Sequence, residues 1–525
     1  MRTHPLCFLV LFLPLAILAA QGSRIPKEAQ VGYQSISPND LSARLHFIAS
    51  PELEGREATF RGQKVAARYI ASEFQRLGLK PIGDGGSYFQ HFPVVVTRPS
   101  ERSNIIIANK QGAKTFMFRK DYVSLSAQDT VLSGPVVFIG YMDAEPDSML
   151  LKGKIVMALA GRREDAHDPS VPAMRRLQLF RQFPGSVATF VVADDTGSAS
   201  IKILTSRFAN VLDKGLMRPL GIEARGGFMF QSPILITPQV ADEILAETGR
   251  SVSEMRRVAA QDTGFAPVVL SQTQVKIESQ VSKEMKETEN VVGLLEGSDP
   301  KLRDQVVVFS AHYDHLGISN DGTVFTGADD DGSGTVTVLE LAEAFVTNPI
   351  KPKRSLLFIT VTGEEKGLWG SQYYVTHPLI PLDRTVADLN TDMIGRVDTT
   401  YERLKNPNYV YVIGSDKIST ELDSLLRLSN KASENLILDY KYNSDKDPAM
   451  FYRRSDHYNF ARNGVPIAFF FTGVHKDYHR PTDTVDKILF DRMTKIVRLI
   501  YYTGWNVANF KTKLVKNVES KEYSK

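Results

Sequence analysis

Histidines and carboxylates recur in the last two fifths of the chain, in short clusters that follow apolar runs. Imidazole and carboxylate donors without a thiolate suit zinc or another borderline divalent cation. Each cluster alone is a weak signal, but their shared position after apolar runs favours one joint site. The clusters are His312-Tyr313-Asp314-His315, Ala328-Asp329-Asp330-Asp331, Glu364-Glu365, Asn390-Thr391-Asp392 and Tyr478-His479.

The carboxylates are numerous enough to hold two metal ions. Two ions roughly 3.5–4 Å apart form a known hydrolytic device, which lowers the pKa of a shared water and stabilises charge on an attacked carbonyl. A neighbouring carboxylate must then take the proton of the water and pass it to the leaving group. In the pair Glu364-Glu365, one side chain can bind metal while the other stays free as this base.

The elements that must position these clusters alternate between strand and helix. Continuous apolar runs predict strands buried on both faces at residues 305–311, 355–362, 386–390 and 465–471. Helical periodicity predicts helices at residues 334–346, 367–377, 419–430 and 485–509. This alternation indicates an α/β fold with a mostly parallel central sheet flanked by helices. Ligands bind beyond the carboxyl ends of such strands, so the clusters should converge in one crevice.

Residues 329–340 also satisfy the spacing of a calcium-binding loop. Asp329, Asp331, Ser333 and Glu340 fall at positions 1, 3, 5 and 12 of such a loop. No helical pattern precedes the segment, and residues 334–346 already have helical periodicity. Both observations count against a calcium site, which is the less favoured alternative to the hydrolytic centre.

The part of the chain before residue 290 has a different character. Residues 24–40 have no clear periodicity and are expected to be irregular, whereas residues 40–79 have a helical pattern. Between residues 100 and 275, short β-rich runs at 134–140, 153–161 and 187–193 are bounded by Gly, Ser and Asp, with a charged helix-prone stretch at 173–182. We interpret this region as a separate β-rich module inserted into the chain.

The N-terminus predicts a secretory signal peptide. Arg2 precedes an apolar run over residues 5–20, and small residues follow it. The run is short and interrupted by Pro14, so an uncleaved membrane anchor is the less favoured alternative, and no stable membrane insertion is expected after its removal. The lone cysteine, Cys7, lies in this segment. We therefore expect a secreted or periplasmic protein whose site contains only histidines and carboxylates.

The charge balance gives no support for nucleic-acid binding. The 525 residues include 63 basic and 60 acidic side chains, giving a net charge of +3. The last fifteen residues, 511–525, hold five Lys and two Glu, so the rest of the chain is close to neutral. Proteins that bind phosphate backbones have a clear excess of clustered basic residues, and this composition has no such excess.

At the same clusters the sequence resembles peptidase family M28, a family of co-catalytic zinc metallopeptidases that includes bacterial aminopeptidases. The strings that carry the resemblance are SAHYDHLG (310–317), GADDDGSG (327–334), TGEEKGLWGS (362–371), LNTDMIG (389–395) and YHRPTDT (478–484). The similarity covers roughly residues 290–510. Residues 52–79 resemble the N-terminal helical segment of the family, and the inserted module resembles a protease-associated (PA) domain.

The resemblance implies an order of domains along the chain. It runs from a signal peptide at 1–22 through an N-terminal part of the peptidase domain at 24–105, an inserted PA-like domain at 110–272 and the main part of the peptidase domain at 275–510 to a Lys-rich tail at 511–525. The peptidase domain would thus be formed by two segments of the chain, one before and one after the inserted domain.

The resemblance also implies two zinc ions per chain, with Co²⁺ or Mn²⁺ as possible substitutes. By motif position, His312 and Asp392 would bind one ion. Glu365 and His479 would bind the other, and Asp330 would bridge both.

Further roles follow from the same resemblance. Glu364 would be the general base and later the acid, Asp314 would orient His312, and Tyr478 is a candidate donor to the oxyanion. A cis peptide bond between Asp330 and Asp331 is also implied.

The implied activity is that of an exported aminopeptidase acting on peptides or proteins. A carboxypeptidase or dipeptidase on the same scaffold is one alternative. A non-catalytic binding protein that kept the peptidase fold is an alternative of another class. Ser455-Asp456-His457 also resembles a family string, and we expect it to support the site structurally.

Overall fold

The structure is a computed structural model, and it describes residues 25–126, 128–165, 183–193, 202, 205, 206, 208–222, 233–261 and 265–518. The predicted signal peptide at 1–22, the helix-prone stretch at 173–182 and residues 519–525 of the tail lie outside these residues.

Strands predominate between residues 80 and 325, and strands and helices alternate from residue 334 onward. The strands are β1 Lys80–Pro81, β2 Phe89–Pro99, β3 Asn104–Asn109, β4 Gly112–Met117, β5 Tyr122–Val123, β6 Thr130–Tyr141, β7 Ile155–Leu159, β8 Ala188–Val192, β9 Leu216–Pro219, β10 Ile234–Ile236, β11 Val268–Ser279, β12 Val281–Leu295, β13 Val306–His312, β14 Gly317–Ile318, β15 Val324–Phe325, β16 Ser355–Val361, β17 Thr385–Thr391, β18 Tyr409–Ile413, β19 Ile437–Asp439 and β20 Ile467–Phe471.

The α-helices are α1 Lys27–Ser35, α2 Pro38–Ile48, α3 Arg61–Arg76, α4 Ser148–Leu151, α5 Pro238–Leu245, α6 Val252–Gln261, α7 Gly334–Thr347, α8 Trp369–Thr376, α9 Thr399–Leu404, α10 Thr420–Ala432, α11 His457–Arg462 and α12 Phe490–Asn509. Within the described ranges, no helix combines the length and the apolar character that crossing a membrane requires.

The main sheet has a parallel centre and largely antiparallel flanks. Its order is β19-β18-β20-β17-β13-β16-β12-β2-β9, with β1 beside β12. The central strands β16, β13, β17 and β20 pair in parallel. On one flank β12, β2 and β9 are antiparallel, and on the other β18 runs antiparallel to β20. The predicted α/β class is confirmed, and the parallel pairs are the four central strands and the edge pair of β18 and β19.

The central strands are the apolar runs that the sequence indicates. Every residue of β13, β16, β17 and β20 is buried. Burial on both faces by helices removes the need for alternating polar positions. Helices α7 and α12 pack together on one face, against β13 and β17.

The expectation of an irregular lead-in over residues 24–40 is wrong, because helix α1 and the start of helix α2 occupy it. Helix α2 begins after Ser37, whose hydroxyl accepts the Asp40 N–H at 3.1 Å. Helix α1 packs against helix α7 so closely that a Cβ added at Gly32 would lie 2.3 Å from the Ala344 carbonyl oxygen. These long-range contacts, rather than local periodicity, stabilise the first helix.

A second sheet forms within residues 104–279. Its order is β4-β3-β11-β6-β7-β8-β10-β5, and it has an apolar cluster of its own that includes Phe138, Met157 and Ile244. Strand β9, which lies within the same stretch of sequence, pairs instead with β2 of the main sheet. The stretch of sequence that forms the second sheet therefore also contributes one strand, β9, to the main sheet.

Candidate metal centre

The predicted ligand residues meet at the carboxyl ends of the central strands. His312 ends β13, Glu364 and Glu365 follow β16, and Asp392 follows β17. His479 lies on the long connection after β20. Parallel strands open their carboxyl ends at one edge, so residues far apart in sequence share one crevice there.

The first cluster is centred on His312, whose side chain is 1% exposed. Its Nε2 lies 3.4 Å from Asp330 Oδ1 and 3.7 Å from Asp392 Oδ2. Its Nδ1 lies 3.1 Å from the backbone carbonyl oxygen of Asp314. That contact favours a proton on Nδ1, which leaves Nε2 as the nitrogen that faces the carboxylates.

The second cluster is centred on His479. Its Nε2 lies 3.0 Å from Asp330 Oδ2 and 3.2 Å from Glu365 Oε2. Asp330 therefore directs one carboxylate oxygen to each cluster. This is the arrangement expected of a carboxylate that bridges two metal ions.

Several of these buried atoms lack a protein partner. Among the described residues, His312 Nε2, Asp330 Oδ2 and Glu365 Oε1 have no aligned hydrogen-bond partner. An unsatisfied buried polar group costs about 1–3 kcal/mol, so their convergence fits a cation. The donor set of two imidazoles and three carboxylates suits zinc or a similar divalent ion.

Glu364 lies beside the first cluster but is not one of its predicted metal ligands. Its Oε2 is 3.9 Å from His312 Nε2, and its side chain is 12% exposed. Burial raises the pKa of Glu364 well above the ordinary range, and the neighbouring carboxylates of Glu365, Asp456 and Asp392 add to the rise. A carboxyl group with a raised pKa is suited to accept and return a proton.

Asp314 links His312 to Glu364. Its Oδ1 accepts the backbone N–H of Glu364 at 3.2 Å and lies 3.8 Å from His312 Nδ1. The Nδ1–H of His312 donates instead to the backbone carbonyl oxygen of Asp314. The structure thus places this carboxylate so that it fixes the loop of Glu364 as well as facing the histidine.

The loop that carries Asp330 is held by carboxylates on either side of it. Asp329 Oδ1 accepts the Gly395 N–H at 2.6 Å, and Asp331 Oδ1 accepts the Gly334 N–H at 2.8 Å. Asp483 Oδ2 accepts the N–H groups of Asp329 at 3.0 Å and Asp330 at 3.1 Å. The peptide bond between Asp330 and Asp331 is cis, as the resemblance implies. The aspartate of the string YHRPTDT, Asp483, was not among the predicted site residues.

The calcium-loop alternative is not supported by these contacts. Its twelfth position, Glu340, pairs with the buried Arg44 and accepts the Ser37 N–H at 2.9 Å. Its first and third positions, Asp329 and Asp331, use their carboxylates to bind backbone N–H groups. The residues of the supposed loop therefore face different partners.

Tyr478 lies against the second cluster. Its ring stacks on His479 with centroids 3.8 Å apart, and its hydroxyl accepts a hydrogen bond from Arg454 at 3.3 Å. Tyr478 and Arg454 border a cleft of about 360 Å³ whose polar wall is formed by ligand residues and Glu364. The apolar wall of the cleft consists of Met393, Phe451, Phe469, Phe471 and Val474.

Ser455 supports the first cluster from behind, as expected of the string Ser455-Asp456-His457. Its hydroxyl donates to Asp392 Oδ2 at 2.7 Å and accepts from Asn390 Nδ2 at 3.2 Å. These two hydrogen bonds fix the rotamer of Asp392.

Sequence reasoning left out one residue of the second cluster, His315. Its Nδ1 lies 2.8 Å from Glu365 Oε1 and 3.8 Å from Asp330 Oδ2. His315 is part of the string His312-Tyr313-Asp314-His315, so its position was visible but its direction was not. The residue two positions earlier, Tyr313, is buried in the core, which shows that neighbours on this loop face different environments.

Comparisons with known proteins match the part of the chain that forms most of the main sheet. Residues 290–504 match Peptidase family M28. A "probable leucine aminopeptidase 2" of Aspergillus oryzae is 32% identical over 194 residues, which are 36% of this chain and 35% of that protein. Aminopeptidase YwaD of Bacillus subtilis is 28% identical over 220 residues, 41% of this chain and 43% of that protein. The chain spans between 35% and 57% of the length of the first curated relatives.

One solved structure resembles nearly the whole fold. The aminopeptidase from Aneurinibacillus sp. strain AM-1 is 19% identical, with a TM-score of 0.51, over 94% of this chain and 98% of that one. The likeness concerns the fold, whereas the match over residues 290–504 concerns the sequence that carries the clustered ligands. This chain therefore contains a peptidase family M28 domain, formed by residues 290–504.

Proposed function

We propose that the chain is an exported two-zinc metallopeptidase that releases N-terminal residues from peptides. The observation that carries the proposal is the pair of clusters that share Asp330, with one carboxylate oxygen directed to each. His312 and Asp392 would bind one zinc, and His479 and Glu365 the other. Relatives named as aminopeptidases support the same class of reaction.

The residues around the clusters define the proton path. Bound zinc ions of this kind lower the pKa of water and stabilise negative charge on a carbonyl oxygen. Glu364, held by Asp314 through its backbone N–H, takes the proton of the attacking water. It then returns this proton to the amine that leaves. Tyr478, whose ring stacks on His479, would donate its hydroxyl proton to the carbonyl oxygen of the substrate.

The cleft indicates which first residue the enzyme accepts. Its apolar wall includes Phe451, Phe471 and Val474, whereas Arg454 lies at its border. Transfer of an apolar side chain from water to such a wall contributes about 25 cal/mol per Å² of buried surface. We therefore expect leucine- or phenylalanine-like first residues to be cleaved faster than lysine or glutamate.

Export and the accessory domain belong to the same proposal. The signal-peptide pattern of residues 1–22 supports a secreted or periplasmic enzyme. The second sheet at residues 104–279 is compatible with an inserted PA-like domain at 110–272. The nearly balanced charge gives no support for nucleic acid as a partner. Peptides or proteins are the proposed substrates.

The test uses the full chain and matched substrates. Leucine p-nitroanilide should be hydrolysed, the activity should disappear with a chelator, and zinc should restore it to a preparation that holds two ions per chain. An N-acetylated peptide should resist cleavage because an aminopeptidase requires a free amino terminus. Release of C-terminal residues from the acetylated peptide would instead indicate a carboxypeptidase. Normal folding with no bound metal would favour a binding protein.

A further inference from the structure

His315 occupies a closed position inside the second cluster. Its side chain is fully buried, and its Nδ1 lies 2.8 Å from Glu365 Oε1. Its ring is inclined by 71° to the ring of His479, with centroids 5.9 Å apart. The motif assignments give this residue no role, although it is as close to Glu365 as His479 is.

The surrounding backbone is shaped to hold this ring. Gly327 has a φ of +55°, and a Cβ added there would lie 2.5 Å from His315 Cγ. The His315 N–H donates to the Arg56 carbonyl oxygen at 3.3 Å, and the Arg56 guanidinium donates to the Gly327 carbonyl oxygen at 2.9 Å. The loop of the bridging aspartate and the loop of His315 are thus fixed against each other.

Glu365 divides its two oxygens between two histidines. Oε2 lies 3.2 Å from His479 Nε2, and Oε1 lies 2.8 Å from His315 Nδ1. Within the described part of the chain, neither His315 nitrogen nor Glu365 Oε1 has an aligned hydrogen-bond partner. Carboxylates that bind metal are themselves held by hydrogen bonds as a rule, and these outer contacts set ligand direction and metal affinity.

We propose that His315 is a positioning residue of the second metal centre. His315 Nδ1 and Glu365 Oε1 lie 2.8 Å apart without the alignment of a hydrogen bond, and with the ion bound the Nδ1–H would donate to Oε1, so that Oε2 stays directed toward Asp330 and His479. The role rests on the proposed two-zinc function, because it concerns the affinity of one of those ions. It differs from the role of His479, which offers its own nitrogen to the ion.

The variants His315→Asn and His315→Leu distinguish two roles of His315: donating a hydrogen bond to Glu365, and only occupying space in the packed site. Both substituted side chains have nearly the same shape, and both reach the position of Nδ1, but only asparagine can donate to Glu365. Zinc binding by the full chain, stripped of metal, is measured by titration against a chromophoric chelator. The folded state of each variant is checked by circular dichroism before the titration.

We expect His315→Leu to weaken one of the two zinc sites by about 10–100-fold and to leave the other unchanged. His315→Asn should keep both affinities within a few-fold of the wild type. The control is His377→Leu, which removes an imidazole that stacks on Tyr373 outside both clusters, with 4.4 Å between centroids. This control should alter stability without selective loss of one zinc site.

Each outcome decides the role of His315. Unchanged zinc affinities in His315→Leu would overturn it. An equal loss in the Leu and Asn variants would also overturn it and would indicate that the imidazole binds the ion directly. If the Leu variant does not fold, His315→Ala carries the same expectation. A wild type that binds two zinc ions but hydrolyses no peptide would refute the proposed function while leaving this test valid.

Discussion

The Lys214 ammonium lies 2.6 Å from a carboxylate oxygen of Glu57, which joins the segment before β9 to the N-terminal part of the main sheet domain. The other oxygen of Glu57 lies 2.9 Å from Lys366, the residue that follows Glu365. Glu57 is almost fully buried, whereas both lysines are about a quarter exposed. One carboxylate therefore connects the neighbourhood of the second sheet to the loop that carries two site residues.

Replacement of this buried carboxylate should destabilise the folded protein. Glu57→Gln leaves two ammonium groups without their shared counter-charge, and we expect a loss of about 1–2 kcal/mol in the free energy of unfolding. Glu54→Gln is the control, because its partner Arg61 is 73% exposed and such pairs contribute less than about 1 kcal/mol. Urea denaturation measures both variants. Equal stabilities of the two variants would contradict the proposed link.

Glu364 is the residue whose loss should separate chemistry from metal binding. Glu364→Gln keeps the size of the side chain but cannot accept a proton, so kcat should fall by about 10²–10⁴-fold. The zinc content should stay the same, because the two clusters are complete without Glu364. Metal analysis and peptide hydrolysis are measured on the same sample. The exposed Glu296→Gln serves as the control, and full activity in Glu364→Gln would refute its role as base.

Ser455 should affect the first zinc in the way that His315 affects the second. Ser455→Ala removes the hydroxyl that donates to Asp392 Oδ2 at 2.7 Å. Loss of such an outer contact weakens metal affinity by about 10–100-fold, and the site of Glu365 should be unaffected. Ser424→Ala, whose hydroxyl donates only to the Thr420 carbonyl within a helix, is the matched control. Chelator titration that detects no change in Ser455→Ala would contradict this assignment.

The sequence predicted the central strands and the place of the site, because both depend on local patterns. A strand covered on both faces, such as β13, reads as an unbroken apolar run. Polar residues directly after such strands must meet at one edge of the sheet. The ligands on four separate loops could therefore be grouped without knowledge of the strand order.

The remaining features depend on contacts between distant segments. Helix α1 has little amphipathic pattern of its own and is stabilised where Gly32 meets helix α7. The antiparallel flank contains β12, whose first half is mostly exposed and lacks the apolar signature of the centre. The direction of His315 is set by Gly327 and Arg56, which lie in other segments. Local periodicity of the sequence does not predict these contacts, because they join residues that are far apart in the chain.

The buried residue Asp388, which is not a metal ligand, should make the stability of the protein depend on pH. It is fully buried below the site on β17, and its Oδ1 accepts the Ser310 hydroxyl at 2.7 Å. Burial raises the pKa of Asp388 from 3.8 to about 8. The folded state thus binds a proton that the unfolded state releases, so the stability contributed by this residue falls as the pH rises from about 4 to about 8.

Asparagine at this position keeps the acceptor for Ser310 and cannot ionise. Asp388→Asn should therefore be more stable than the wild type at pH 8, by at least about 1 kcal/mol since one pKa unit corresponds to about 1.4 kcal/mol. At pH 4 the two proteins should be nearly equal, because the wild-type carboxyl is then protonated in the folded state. Denaturation at both pH values, on metal-free protein, measures the difference. The exposed Asp383→Asn should have no such pH dependence, and a constant difference for Asp388→Asn across this range would contradict the buried neutral carboxyl.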